Sequence, residues 1–270
     1  MGALYNSLER QQLEAPRCHS HTRVDVINRL IDWISGKIDY EALILWLSGS
    51  AGAGKSAIAH TIAQICERYG WLLATFFFGK TAAERSSIER FVATIAYQMA
   101  RAIPDMRHFI ESAINCDPMI FQQSIETQLT KLVVEPLQQL QLSGFNFADC
   151  PFLIIVDGLN ECSGNNVQAG IVKSLAAAFH HSPFRIRLLI SSRPEVYLQT
   201  VFNSSSLQSR LSRLALSDKY SPEEDIYRFL EHSFERILGY EEHFDTTEGL
   251  NPTNLSFCKT TLLNMEINPS

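Results

Sequence analysis

The residues of this chain best suited to chemistry form one run of eight: Gly49, Ser50, Ala51, Gly52, Ala53, Gly54, Lys55 and Ser56. Their types and spacing are those of a loop that binds phosphate. The glycines let the main chain wrap closely around a polyphosphate, so that successive N–H groups point inward. The Lys55 ammonium would face the β- and γ-phosphates, and the Ser56 hydroxyl would ligate Mg²⁺. We call this run the phosphate loop, and it predicts a site for a nucleotide with its magnesium ion.

A phosphate loop needs a buried strand before it and a helix after it, because the helix N-terminus supplies unpaired N–H groups and a positive dipole end. Residues 42–48 form a short uninterrupted apolar run, which is typical of a strand covered on both faces. From Lys55 to Tyr69 apolar side chains recur at helical spacing, and Gly70 ends the helix. The flanking sequence therefore supports the nucleotide interpretation.

Apolar runs and helical spacing predict the remaining elements. The further strands are predicted at residues 71–78, 152–157, 185–192 and 211–216. The helices are predicted at residues 24–34, 55–69, 88–99, from Pro104 onward, 121–142 with a kink or break at Pro136, 167–181 and 221–237. Strands that alternate with helices favour an α/β fold, here a P-loop NTPase with a doubly wound, mainly parallel five-stranded sheet flanked by helices.

Ligands of such a sheet bind beyond the carboxyl ends of its strands, so residues that follow the strands should meet at one edge. Asp157 ends the apolar run Phe-Leu-Ile-Ile-Val and has the position of a Walker B aspartate, whose carboxylate lies beside Mg²⁺. A magnesium–nucleotide site needs such an acidic partner for the cation. Asp157 and Ser56 are therefore the predicted magnesium ligands.

Two further residues are candidates for catalysis at the same edge. Glu161 lies four residues past Asp157, where its carboxylate could orient or activate the water that attacks the γ-phosphate. Arg193 follows the fourth predicted strand, where its guanidinium could touch the γ-phosphate and respond to its loss. A solvated loop acid and an ordinary surface arginine are the alternatives for these two residues.

Composition limits the partners and the location. The net charge of −6 is unlike the basic surface that binds nucleic acid, so no nucleic-acid partner is expected. No signal peptide opens the chain and no apolar stretch is long enough to span a bilayer, so no membrane is expected either. The six scattered cysteines indicate free thiols in a reducing compartment, which favours the cytoplasm.

The 270 residues suit either one large α/β domain or one domain with a small appendage, and one domain is favoured. The predicted organisation is an irregular lead over residues 1–23, the NTPase domain over residues 24–238 and a poorly specified polar tail over residues 239–270.

Over about residues 15–238 the chain resembles a NACHT domain of the signal-transducing NTPases, and its fungal members in particular. The resemblance rests on the phosphate loop and on two segments, Phe-Leu-Ile-Ile-Val-Asp-Gly-Leu-Asn-Glu-Cys and Ser-Ser-Arg-Pro-Glu. Three further matches are Ala-Tyr-Gln-Met-Ala at 96–100, the segment 225–230, and Cys18 followed by Thr22-Arg23.

The resemblance implies an ATP-driven switch with ATP and Mg²⁺ as cofactors, which self-associates when it opens. It also implies that Asp157 binds Mg²⁺, that Glu161 serves a slow hydrolysis, that Arg193 is the sensor and that Thr22-Arg23 lies near the base or ribose. The sequence departs from the family pattern at Asn160, where a second acidic residue is common. An amide cannot act as a base, so hydrolysis is expected to be weak.

Two other functions remain open from the sequence. A small-molecule P-loop kinase would share the phosphate loop and the sheet, although neither an arginine-bearing lid nor an acceptor pocket is identifiable in residues 84–142. A module that holds nucleotide only for structure would agree with Asn160. A GTPase is disfavoured because no Asn-Lys-x-Asp segment follows the last strands.

Overall fold

Five parallel strands form the centre of the computed structural model, which describes residues 17–19, 22–79, 88–145, 152–180 and 184–216. Within these residues the sheet has the order β2-β3-β4-β1-β5, and every neighbouring pair is parallel. The strands are β1 (Ile44–Gly49), β2 (Leu72–Phe77), β3 (Phe152–Asp157), β4 (Ile186–Ser192) and β5 (Leu211–Leu216). Strand β4 therefore lies between the strand that leads into the phosphate loop and the strand that ends in Asp157.

Side chains that alternate along each strand fill two apolar layers, one on each face of the sheet. In β1, Ile44 and Trp46 belong to one layer, while Leu45 and Leu47 belong to the other. All six residues of β1 and of β3 are buried. This burial on both faces explains why the strands appear in the sequence as uninterrupted apolar runs.

The helices cover both faces and leave the carboxyl ends of the central strands to connecting loops. They are α1 (Val24–Ile34), α2 (Lys55–Arg68), α3 (Phe91–Ala102), α4 (Arg107–Cys116), α5 (Ile125–Leu129), α6 (Glu135–Leu142), α7 (Asn165–His180), α8 (Val196–Phe202) and α9 (Ser205–Gln208). Helices α1 and α2 pack on one face, and α3 to α8 pack on the other. Among the described helices none is long and apolar enough to cross a membrane.

The predicted α/β fold is confirmed, with its five strands in the predicted places. The break expected at Pro136 is a π-helical turn, Thr130–Val134, after which Pro136 lies in the first turn of α6. Proline has no N–H to donate, so it interrupts the main-chain hydrogen bonds of the continuous helical segment at this point. Helices α8 and α9 were not predicted. The helix expected at residues 221–237 and the polar tail lie outside the described residues.

Strand β2 forms one edge of the sheet, and the Gln98 side chain of α3 covers the middle of that edge. The Gln98 Oε1 accepts the Thr75 N–H at 3.0 Å, and its Nε2 donates to the Thr75 carbonyl at 2.7 Å. Thr75 is fully buried, so water cannot replace these bonds. Gln98 lies in the Ala-Tyr-Gln-Met-Ala segment, and its contact gives that segment a structural role.

We expect Gln98→Leu to lower the free energy of unfolding by about 1 to 3 kcal/mol, because it removes two hydrogen bonds to the main chain of a buried residue. Urea denaturation of the variant and the wild type measures the difference. Gln138→Leu is the matched control, because Gln138 is exposed on α6. Equal unfolding free energies for Gln98→Leu and the control would show that Gln98 does not stabilise the edge.

Candidate nucleotide-binding site

The phosphate loop joins β1 to α2 at the carboxyl edge of the sheet, as the sequence predicts. Gly52 and Gly54 have φ angles of 78° and 88°, a left-handed conformation that side chains other than glycine rarely adopt. Gly49 has a different reason to be glycine. A Cβ atom there would lie 3.1 Å from the Leu216 Cβ and 3.2 Å from the Ala53 Cβ. The backbone conformation therefore favours glycine at residues 52 and 54, and packing favours it at residue 49.

The Lys55 ammonium lies within hydrogen-bonding distance of its own loop. Its Nζ donates to the carbonyl of Gly49 at 2.9 Å and to that of Ser50 at 2.7 Å. Burial lowers the pKa of Lys55; Asp157 and Glu161 act on it in the opposite direction, and Arg193 adds to the lowering. Charged residues from three separate connections thus act on one ammonium group, so the structure brings these four predicted site residues together.

Asp157 lies at the end of β3 and is only 2% exposed. Its Oδ1 accepts a hydrogen bond from the Ser191 hydroxyl of β4, and the Gly158 N–H donates to the Ser191 Oγ at 3.2 Å. The serine therefore orients the carboxylate through one of its two oxygens. Sequence reasoning did not assign this role to Ser191, although the Ser-Ser-Arg-Pro-Glu segment contains it.

Glu161 ends a short 3₁₀ turn, Leu159–Glu161, that begins directly after Gly158. The Glu161 N–H donates to the Gly158 carbonyl at 2.7 Å and closes the turn. Gly158 has a φ of 70°, and a Cβ atom there would lie 3.3 Å from the Phe78 carbonyl oxygen. This tight turn keeps Glu161 near enough to Lys55 for its charge to act on the lysine pKa, which it raises.

Arg193 follows directly after β4, and the two preceding serines connect it to the neighbouring strands. Ser191 binds Asp157 on β3, as described, and the Ser192 Oγ accepts the Trp46 Nε1–H of β1 at 2.8 Å. The Arg193 N–H donates to the Asn160 Oδ1 at 2.9 Å. The end of β4 is thus held on both sides, and the position of the Arg193 main chain is fixed.

Part of the predicted N-terminal lead contacts the same site. The Arg23 Nη2 donates to the carbonyl of Ala53 in the phosphate loop at 3.3 Å. Thr22 is buried, and its hydroxyl donates to the His19 carbonyl at 2.8 Å. The Cys18 N–H donates to the Thr61 hydroxyl of α2 at 3.2 Å. Arg23 is therefore placed beside the loop, next to Thr22 and its bond to His19.

The oxygen donors at this edge suit magnesium. Mg²⁺ is usually held by one or two protein oxygens together with phosphate and water, and Ser56 and Asp157 can provide such a pair. Ser56 lies in the first turn of α2. Within the part of the chain that the structure describes, no group of three or more His, Cys, Asp or Glu side chains could hold a metal ion by itself. Phosphate oxygens and water would complete the coordination of an ion held by Ser56 and Asp157.

Comparisons with known proteins give one family. The model of the family described as "Nephrocystin 3, N-terminal" matches residues 28–193, which include the phosphate loop, Asp157, Glu161 and Arg193. No curated protein matches the chain in sequence.

Two solved structures of Drosophila ORC with Cdc6 are similar to the chain in fold, each with 10% sequence identity and a TM-score of 0.46. In the complex with poly(dA/dT) DNA the match covers 78% of this chain and 31% of that one. In the complex with GC-rich DNA it covers 77% and 29%. The chain thus spans less than a third of the chains that it matches.

Proposed function

The chain belongs to the nephrocystin 3 N-terminal family, and from this premise we propose that it is an ATP-binding, slowly hydrolysing switch module of the NACHT type. The observation that carries the proposal is the convergence of four charged residues at one edge of the sheet. Lys55, Asp157, Glu161 and Arg193 come from three connections that are far apart in sequence, yet the last three all act on the Lys55 ammonium. A structural surface has no need for this arrangement, whereas a triphosphate with its cation uses every member of it.

Each residue has a distinct role in the proposal. The main-chain N–H groups of the phosphate loop and the start of α2 bind the phosphates, and Lys55 balances their charge. Ser56 and Asp157 would hold Mg²⁺, which when bound neutralises charge that develops on the phosphate oxygens. Glu161 accepts the proton of the attacking water or orients that water, and the Arg193 guanidinium contacts the γ-phosphate.

Arg23 is the described residue best placed to reach the nucleoside, because it lies beside Ala53 at the rim of the loop. Its side chain donates to a main-chain carbonyl there, so it is positioned without being part of the phosphate loop itself. We assign Thr22-Arg23 to the base or ribose on this ground together with the NACHT resemblance.

The switch role rests on the resemblance to NACHT domains. In that role the NTPase domain spans residues 24–238, acts in the cytoplasm and self-associates through its NTPase surface when the nucleotide state changes. Neither nucleic acid nor a membrane is a partner in this proposal.

Titration calorimetry of the purified chain tests the proposal. We expect ATP to bind with Mg²⁺ and GTP to bind more weakly. EDTA should reduce the ATP affinity by about 10-fold or more, because Ser56 and Asp157 would hold the cation that balances the charge of the phosphates. The nucleotide that copurifies should be an adenosine phosphate, and a diphosphate would indicate a resting switch. A wild-type chain that binds neither nucleotide would overturn the assignment. Transfer of the γ-phosphate to a small molecule in place of water would favour a kinase.

A further inference from the structure

Two connections at the candidate site are joined to each other as well as to the sheet. The connection after β3 carries Glu161, and the connection after β4 carries Arg193. Between them, the Asn160 Oδ1 accepts the Arg193 N–H at 2.9 Å. Asn160 directly precedes Glu161, so this one hydrogen bond links the two catalytic candidates through their main chains.

A second contact joins the same connections a few residues further along. The Tyr197 hydroxyl of α8 donates to the Gln168 Oε1 at 2.5 Å, and the Gln168 Nε2 donates to the Cys162 carbonyl at 2.5 Å. Gln168 and Cys162 are 3% and 2% exposed, so this contact is shielded from water. Residues 160–162 and 193–197 are therefore connected at two points, once directly and once through Gln168.

We propose that Asn160 is a positioning residue, which holds the Arg193 main chain so that the guanidinium can distinguish a triphosphate from a diphosphate. The inference rests on the proposed nucleotide binding and adds a role that the resemblance does not give. The amide oxygen of Asn160 is engaged by a main-chain N–H, so the side chain faces the β4 connection. Its contribution is a hydrogen-bond acceptor, and no base is required at this position.

An aspartate at residue 160 would present the same acceptor oxygen in the same place. If residue 160 acts as an acceptor, Asn160→Asp behaves like the wild type. If instead the asparagine marks a lost acid, Asn160→Asp raises the rate of phosphate release. The two interpretations thus predict different rates of phosphate release for Asn160→Asp. The second substitution, Asn160→Ala, removes the acceptor altogether.

The experiment measures affinity for ADP and for a non-hydrolysable ATP analogue, both with Mg²⁺, by titration calorimetry on the full chain. We expect Asn160→Ala to weaken analogue binding by about 5- to 10-fold, as for the loss of one hydrogen bond, and to leave ADP binding unchanged. Asn160→Asp should keep the wild-type ratio of the two affinities within about 2-fold, because the aspartate retains the acceptor oxygen that Asn160→Ala removes. Because the analogue is not hydrolysed, the result does not depend on turnover.

A double-mutant cycle with Arg193→Ala tests whether Asn160 acts through the arginine. In the Arg193→Ala background, Asn160→Ala should cause no further loss of analogue affinity, because the group that it positions is gone. Additive losses would overturn the proposal. So would an unchanged affinity ratio in Asn160→Ala, a parallel fall in ADP affinity, or faster phosphate release in Asn160→Asp. A wild type that binds neither ligand is a different result, since it refutes the proposed function itself.

Discussion

Lys55→Ala is expected to weaken Mg-ATP binding by about 10- to 100-fold, the loss that follows removal of a charged hydrogen-bond donor to phosphate. The ammonium lies 2.9 Å and 2.7 Å from two carbonyl oxygens of its own loop, so its position is already set by the main chain. Burial lowers its pKa, and Asp157 and Glu161 oppose that shift, so the lysine keeps acidic partners close by. Removal of the side chain leaves the phosphates with main-chain N–H groups alone.

Titration calorimetry compares Lys55→Ala with Lys131→Ala, which removes the same side chain at an exposed position paired with Glu135. The control should bind Mg-ATP like the wild type. Circular dichroism of both variants establishes that the fold is kept. Equal Mg-ATP affinities for Lys55→Ala and the wild type would refute the assignment of the phosphate loop as the nucleotide site.

Glu161→Gln is expected to keep Mg-ATP affinity within about 3-fold while lowering the rate of phosphate release by about 100-fold or more, the range for loss of a general base. Glutamine has the shape of glutamate and preserves the turn, because that turn is closed by the Glu161 main-chain N–H. The substitution therefore removes the charge and the proton acceptor without moving the connection. The affinity for Mg-ATP should therefore stay close to that of the wild type while the rate of phosphate release falls.

Phosphate release under single-turnover conditions, with affinity measured on the same preparation, distinguishes the two effects. Glu111→Gln is the control, because Glu111 is exposed on α4. An unchanged rate in Glu161→Gln would mean that another group handles the water. A wild type that binds ATP and releases no phosphate would identify the chain as a module that holds nucleotide without hydrolysing it.

The strands could be predicted from the sequence because burial on both faces leaves a continuous apolar run that needs no partner to be recognised. The short helices α8 and α9 could not be predicted, because helices of 7 and 4 residues are not stable by themselves. Helix α8 depends on tertiary packing, in which the Phe202 ring stacks on Trp46 with centroids 4.4 Å apart. Nothing local in residues 196–202 reveals that contact.

The candidate site, like the fold, has one part that could be predicted from the sequence and one part that could not. Topology alone places the phosphate loop, Asp157 and Arg193 at one edge, because parallel strands present their carboxyl ends together. The hydrogen bonds of Ser191 and Asn160 join residues 34 and 33 positions apart, and they depend on the register of β3 against β4. A one-residue slip would turn Ser191 to the opposite face and move Arg193 away from Asn160, so the sequence alone could not predict the contacts.

The Gln98 contact with Thr75 also limits how copies of this chain can assemble. A fibre that grows by strand pairing needs two open sheet edges on every molecule, one to receive a strand and one to offer it. Here the outward main-chain groups at the centre of β2 are already bonded within the molecule. Growth of such a fibre through the centre of β2 is therefore disfavoured, because strand pairing there would first have to displace the Gln98 side chain.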